Sequence, residues 1–384
     1  MKEKLVVSII FHNKNGAGHD LEYNKALGKA AESIGLPHIC ILPESWGESP
    51  ELPSHWHTCL KTKKHDSKKL PFMKITAIFS LARSLTKGME KHILPVSNQF
   101  ILFIESFWLF HLIALYIALC LLPSKNIKLW LLFRWNVTKD SRQSLYKVMF
   151  YLIQKRIGER SIQLLTDSEL LKKVLALHFK KSFTVMPIPH TDLNGYKSRV
   201  RKSQSHQIIG WWPGPPRLSK GLNIMQKILH ENGECAKRFK IISAKSSNLI
   251  SISGGADLEF IPDYITRLDY IQKMMESDIV LLPYDKESYN ESTSGIFVEA
   301  IVAGKIPLVT DGTWMAYELL KFDLHELIFD WRAPKILNRI IKLLQDKNVM
   351  NKLSKMHQFY ISYHNIENYA VILNRFKDYC ENVD

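Results

Sequence analysis

Paired cysteines are missing from this 384-residue chain. The five present, Cys40, Cys59, Cys120, Cys235 and Cys380, are scattered, odd in number and never in a CxxC pair. That pattern argues against a disulfide framework and against a structural zinc site. No RNP aromatic pair, KH loop or zinc-finger spacing occurs, so nucleic acid is not an expected partner. The start, MKEKLVVSII, has too short an apolar run for a signal peptide and no small-residue cleavage site. It reads as a first β-strand, and a reducing cytoplasm is the expected location. Acidic residues are in deficit, 37 against 52 basic ones, which leaves a net charge of +15.

That excess clusters at 61–74 and 197–202. Solvated loops and a linker are one reading of these stretches. An anionic membrane surface or a phosphate-bearing substrate is the other. The one long apolar run, 101–122, is nearly long enough to span a bilayer. Glu105 and His111 would then lie in hydrocarbon at high cost. The run divides more naturally into a buried strand with the β-branched and aromatic content of 99–104, then a helix over 107–122 stopped by Pro123.

With 46% hydrophobic and 23% charged residues the composition is globular, and the length suits two domains. The first half alternates strand and helix: strands at 6–11, 38–42, 128–134, 163–167 and 183–188, and helices at 22–34 and 168–177. Residues 44–73 read as a long polar excursion. A basic linker is expected at about 191–206. The pattern then restarts, with strands at 207–212, 239–243, 258–262, 278–284 and 305–310, and a terminal helix at 367–379. Such alternation predicts an α/β protein with two Rossmann-like, doubly wound domains facing a cleft. The expected division is 1–195, 205–365, and a helical tail over 366–384 packing back toward the first domain.

Two constellations carry chemistry. The first is ESTSGIFVE at 291–299. A strand ends before it, and a helix is expected to start near Ser294–Gly295 and stop at Gly304. The amides of Gly295, Ile296 and Phe297 would then be unpaired donors at a helix N-terminus, which is an anion site. Gly295 lets a phosphate approach the backbone, and Glu299, one turn in, suits two adjacent ribose hydroxyls. Glu291 would lie outside the phosphates, near a second ring. Simple capping by Ser292, Thr293 or Ser294 is the competing reading. The second constellation is the rigid loop from Pro213 to Gly221, where Arg217 and Lys220 stand three apart. Two cations at the end of a strand suit a diphosphate leaving group. A weaker feature is the turn Gly16-Ala17-Gly18-His19 after the first strand.

Together these stretches resemble the group 1 (family 4 type) glycosyltransferases of GT-B fold. The Glu–seven residues–Glu motif stands as Glu291 to Glu299, flanked by DIVLLPY before and AIVAGKIPLVT after. The Arg217-Leu218-Ser219-Lys220-Gly221 loop and the early glycine turn fit as well. The resemblance covers most of 1–35 and 160–320. One departure is that the family's aromatic–glycine stretch after the first glutamate is replaced by Ser292-Thr293-Ser294-Gly295-Ile296. The resemblance implies Arg217 and Lys220 as phosphate clamps, Gly295 and Ile296 as backbone donors, Glu299 as ribose ligand and Glu291 beside the transferred sugar. It also implies retention of configuration, with no cofactor and no obligate metal. No AspXAsp motif occurs, only Asp257-Leu258-Glu259.

On the acceptor side the resemblance asks for a polar residue after a first-domain strand. Glu105, His111 and His19 are the candidates, and Gly16 and Gly18 line the same loop. Each also has an ordinary structural role open to it, as cap, core histidine or loop donor. The expected activity is transfer of a sugar from a nucleotide-diphosphate donor to a saccharide or lipid-linked acceptor. Bacterial surface polysaccharide or glycolipid synthesis is the expected setting, with a peripheral position on an anionic inner membrane face. The alternatives are a nucleotide-sugar epimerase of the same fold and a non-catalytic sugar-nucleotide or membrane-surface binding protein.

Overall fold

Runs of Val, Ile, Leu and Phe too short for helices become buried strands, and the amphipathic stretches between them become helices that cover the sheets. A computed structural model describes residues 4–12, 19–47, 52–62, 71–122, 126–191 and 207–377. The first unit comprises residues 1–190 together with 366–384, and the second residues 191–365.

In the first unit the elements run β1 (Leu5–Ile9), α1 (His19–Ser33), β2 (His38–Pro43), β3 (Trp56–Leu60), α2 (Pro71–His92), β4 (Phe100–Glu105), α3 (Leu109–Leu121) and β5 (Ile127–Phe133). Then follow α4 (Gln143–Ile157), β6 (Ile162–Thr166), α5 (Glu169–Phe179) and β7 (Thr184–Val185). Among the described residues the strands form one parallel sheet in the order β3-β2-β1-β4-β5-β6-β7. Strand side chains alternate between faces. Val7, Ile9, Leu102 and Leu129 accordingly pack under α2 to α5, while Val6, Ile101, Phe103 and Trp130 pack under α1.

The second unit runs β8 (Ile208–Trp211), α6 (Leu222–Leu229), β9 (Phe239–Ala244), β10 (Asp257–Ile261), α7 (Arg267–Glu276), β11 (Ile279–Leu282), α8 (Lys286–Tyr289) and α9 (Gly295–Val302). It continues with β12 (Ile306–Thr310), α10 (Trp314–Leu320), β13 (Ile328–Phe329), α11 (Ile336–Leu344) and α12 (Lys347–Tyr363). Its described strands form a second parallel sheet, β10-β9-β8-β11-β12-β13. The last helix, α13 (Ile366–Lys377), belongs to the first unit. There Tyr369 and Leu373 are buried against the α1 side of the sheet, and the Tyr369 and Tyr23 hydroxyls meet at 2.9 Å.

The apolar run 101–122 is β4 followed by α3, the strand and helix expected of it, and among the described residues no helix is long and apolar enough to cross a membrane. Two expectations need correction. Residues 44–73 are not a structureless excursion, because they contain β3, an edge strand, and the first turn of α2. The strand expected over 183–188 is the two-residue β7, since Pro187 and Pro189 cannot donate to a ladder.

Both sheets reverse their strand order once, between β1 and β4 in the first and between β8 and β11 in the second. In doubly wound sheets ligands collect beyond the carboxyl ends of the strands at such a reversal. The loops leaving β8 and β11 span 212–221 and 283–294, which hold most of the second-unit residues singled out in the sequence.

Candidate functional site

The second-unit site is built on α9. Ser294 caps the helix, its Oγ accepting from the Phe297 amide at 3.3 Å. The Val298 amide donates to the Ser294 carbonyl at 3.2 Å. The first two helical amides, those of Gly295 and Ile296, have no acceptor among the described residues. At the other end Gly304, with φ of 68°, closes the helix. Its amide reaches the Ile301 carbonyl and the Lys305 amide reaches that of Ala300, a Schellman stop. The helix is therefore fixed at both ends, with two free donors at its start.

The 212–221 loop brings Lys220 to that start. Gly214, with φ of 87°, has a backbone that favours glycine, and a Cβ there would lie 2.7 Å from Lys220 Nζ and 3.5 Å from Ile296 Cδ1. One glycine thus lets the lysine ammonium and the first turn of α9 approach the same point. The loop is held from below by Gly221, whose Cβ would sit 2.2 Å from the Pro283 carbonyl oxygen. The Asp285 amide donates to the Ser219 carbonyl, and Trp212 Nε1 to the Lys220 carbonyl.

Lys220 Nζ lies 5.3 Å from the ring centre of Tyr284, and among the described residues no carboxylate pairs with it. Burial, and then the neighbouring charge of Arg217, hold its ammonium down to about 8. Cations crowded without an anion make a site that favours an anion. Tyr289 packs on Tyr284 at 4.5 Å and also feels the charge of Arg217.

Glu299 is 4% exposed, within α9. Its oxygens each take a donor from α7: Arg267 Nη1 at 2.6 Å and Tyr270 Oη at 2.7 Å. Tyr270 stands edge-on to Trp211 at the end of β8. A carboxylate has about four lone-pair positions, so two remain. Glu291, Ser292 and Thr293 are half-buried in the bend before α9.

In the first unit Glu105 lies in a network where β4, β5 and β6 end. Glu105 is the last residue of β4, Arg134 follows β5, and Asp167 follows β6. Arg134 lies 3.6 Å from Glu105 Oε2 and donates to Asp167 Oδ2 at 3.0 Å. From α1, Asn24 Nδ2 donates to Glu105 Oε1 at 3.4 Å. One guanidinium serves two buried carboxylates, and burial raises Glu105 well above the usual carboxylate range despite Arg134.

His111 is buried in the first turn of α3, where its Nδ1 accepts from the Trp108 amide and its ring stacks on Phe11 at 4.3 Å. His12 pairs with Asp20 at 3.7 Å. Ser106, with φ of 52°, turns the chain after β4 so that Trp108 faces outward, 43% exposed, 4.5 Å from the Trp135 ring. Trp135 is fixed by its Nε1 donating to the Phe107 carbonyl. His19 opens α1. Gly16 and Gly18 lie outside the described residues, as do most of the basic stretch 61–74 and all of 197–202.

Arg134 and Asp167 were missed in the sequence although each directly follows a strand, the position that makes them visible in retrospect. Arg267 and Tyr270 gave no such signal, because only the packing of α7 on β8 brings them to Glu299. A cavity of about 710 Å³ opens at the opposite, amino end of the second sheet, lined by Ile208, Asp278 and Lys305 among others. It contains none of the residues selected above.

No protein-family model and no curated protein matches the chain. Solved structures do. The trehalose-6-phosphate phosphatase N-terminal domain of Candida albicans matches with a TM-score of 0.69 and 10% identity, over 99% of this chain and 97% of that one. A glycosyltransferase from Rickettsia africae matches at 0.66 and 12%, over 100% of both chains. A UDP-GlcNAc 2-epimerase from Neisseria meningitidis bound to UDP-GlcNAc matches at 0.59 and 14%, over 98% of this chain and 99% of that one. GT-B glycosyltransferases are prominent among these neighbours, and the chain has the GT-B fold.

Proposed function

We propose that this protein is a glycosyltransferase. Residues 191–365 hold a nucleotide-diphosphate sugar, and the first unit receives a saccharide or lipid-linked acceptor. The observation that carries this reading is the convergence at Gly214 of Lys220 and the start of α9, with the Gly295 and Ile296 amides free. Two amides and two cations match the charge and the donor demand of a diphosphate.

In the reaction the bond between the sugar's anomeric carbon and the diphosphate oxygen breaks, and the acceptor hydroxyl oxygen bonds to that carbon as it loses its proton. Lys220, Arg217 and the α9 amides stabilise the charge that grows on the leaving diphosphate. Glu299, oriented by Arg267 and Tyr270, accepts ribose hydroxyls on its remaining lone pairs. Glu291 lies next to the transferred sugar, with Ser292 and Thr293 beside the phosphates. On the acceptor side Glu105 and His19 are the acid–base candidates, Gly16 and Gly18 shape the loop, and the Trp108–Trp135 pair offers a flat apolar face to a sugar ring. Retention of configuration, independence from metal and cofactors, and a role in bacterial surface polysaccharide or glycolipid synthesis complete the proposal. The location is cytoplasmic and peripheral on the inner membrane face.

Release of nucleoside diphosphate from a panel of nucleotide sugars is the test. Release that requires added acceptor supports transfer. Turnover of the sugar without acceptor supports the epimerase instead, and neither outcome with any donor favours a non-catalytic binding protein.

A further inference from the structure

The helices α2, α3 and α4 lie side by side on one face of the first sheet. The thirteen residues of α3, LFHLIALYIALCL, contain no acidic residue, lysine or arginine. One face of α3 enters the core through Leu112, Leu115, Ala118 and Leu119. The opposite face keeps Ile113, Tyr116 and Ile117 partly exposed and ends on Leu121, which is 59% exposed. Beside it, α2 turns Phe79 outward at 58% exposure and α4 turns Tyr151 outward at 62%, with Leu145 and Val148 exposed nearby. A helix that is apolar all round normally has a cover on every side. Exposed apolar side chains on three adjacent helices mark an interaction face.

The charges on those helices are almost all of one sign. Across α2, α3 and α4 there are seven lysines and arginines against a single acid, Glu90. Arg83 and Lys87 on α2, and Lys147 and Lys155 on α4, are exposed.

We propose that the α2–α3–α4 face seats on an anionic lipid surface. Its apolar centre enters the boundary between headgroups and acyl chains, and the flanking cations bind the headgroups. Charge complementarity selects this occupant over a second copy of the chain, because a self-contact would set lysine against lysine. Since no described helix is both long and apolar enough to cross a bilayer, the contact is with one leaflet. Docking itself is independent of the transfer reading. Only the consequence that the acceptor is lipid-linked rests on it.

The test is flotation of the full chain with vesicles of phosphatidylcholine alone and of phosphatidylcholine with about one third phosphatidylglycerol. The protein should float with the acidic vesicles only, and less as salt rises. The combined variant Arg83→Gln, Lys87→Gln, Lys147→Gln should bind roughly tenfold or more weakly. The combined variant Phe79→Ser, Leu121→Ser, Tyr151→Ser should also lose binding. Both should keep the wild-type melting temperature and the response to nucleotide sugars. Wild type that floats with neither vesicle overturns the proposal. So do variants that float like wild type, and so does a dimer that the serine variant converts to monomer with flotation unchanged. Nucleotide-sugar binding in the same preparation separates the two ideas, because a chain that binds donors but not vesicles loses the docking face alone.

Discussion

Lys220 is a lysine whose surroundings make it give up its proton more readily than a free side chain does. Burial and Arg217 lower its ammonium to about 8, against 10.5 for a free side chain. A bound diphosphate favours the charged form and raises that value again. Below pH 8 the lysine is already protonated in the empty protein, so donor affinity should be flat there. Above pH 8 binding must take up a proton, and affinity should fall by up to about tenfold per pH unit. Calorimetric titration with a nucleotide sugar from pH 6 to 10 reads this directly, and Lys220→Ala should remove the dependence. Glu105 makes the opposite case, a carboxyl that burial shifts toward its uncharged form while Arg134 opposes the shift. Glutamine imitates a neutral acid, so Glu105→Gln should change stability by no more than about 1 kcal/mol in chemical denaturation. A loss of about 3–5 kcal/mol would mean instead that an ionised pair with Arg134 had been broken.

At the scale of elements, the site depends on two loops and one short helix. Gly221 lets the 212–221 loop press against Pro283, with φ of 86° and no space for a methyl group. Gly221→Ala should cost about 2–4 kcal/mol and displace Lys220 from α9. The expected signature is a lower melting temperature together with a weakened response to nucleotide sugars. Most of these elements were legible in the sequence because short Val/Ile/Leu runs ending at Pro, Gly or Asp leave little choice but buried parallel strands. The start of α9 was legible from Ser294 and Gly295 for the same kind of reason, since capping is local chemistry. β3 was not, because Trp56–Leu60 is an edge strand that alternates only weakly and follows a proline-rich stretch. The Arg267–Glu299–Tyr270 set was not legible either. Its members are about thirty residues apart and meet only through tertiary packing.

For the molecule as a whole, α13 is sequence-distant from the unit it completes. Tyr369 and Leu373 fill the α1 side of the first sheet. Removing residues 366–384 should cost the first unit about 3–6 kcal/mol from the loss of these buried side chains. The second unit should keep its nucleotide response, and calorimetry of the truncated chain would show two separated transitions. The central claim is that residues 191–365 form a nucleotide-sugar site on Lys220, Arg217 and the start of α9. A thermal-shift screen of the full chain with UDP-, GDP-, ADP- and TDP-sugars tests it most directly. At a hundredfold excess over Kd a true ligand adds about 2.7 kcal/mol of stability. The account predicts a clear upward shift with at least one of them, abolished when Arg217 and Lys220 are both changed to alanine. No shift with any of the four, or a shift that survives the double substitution, would contradict it.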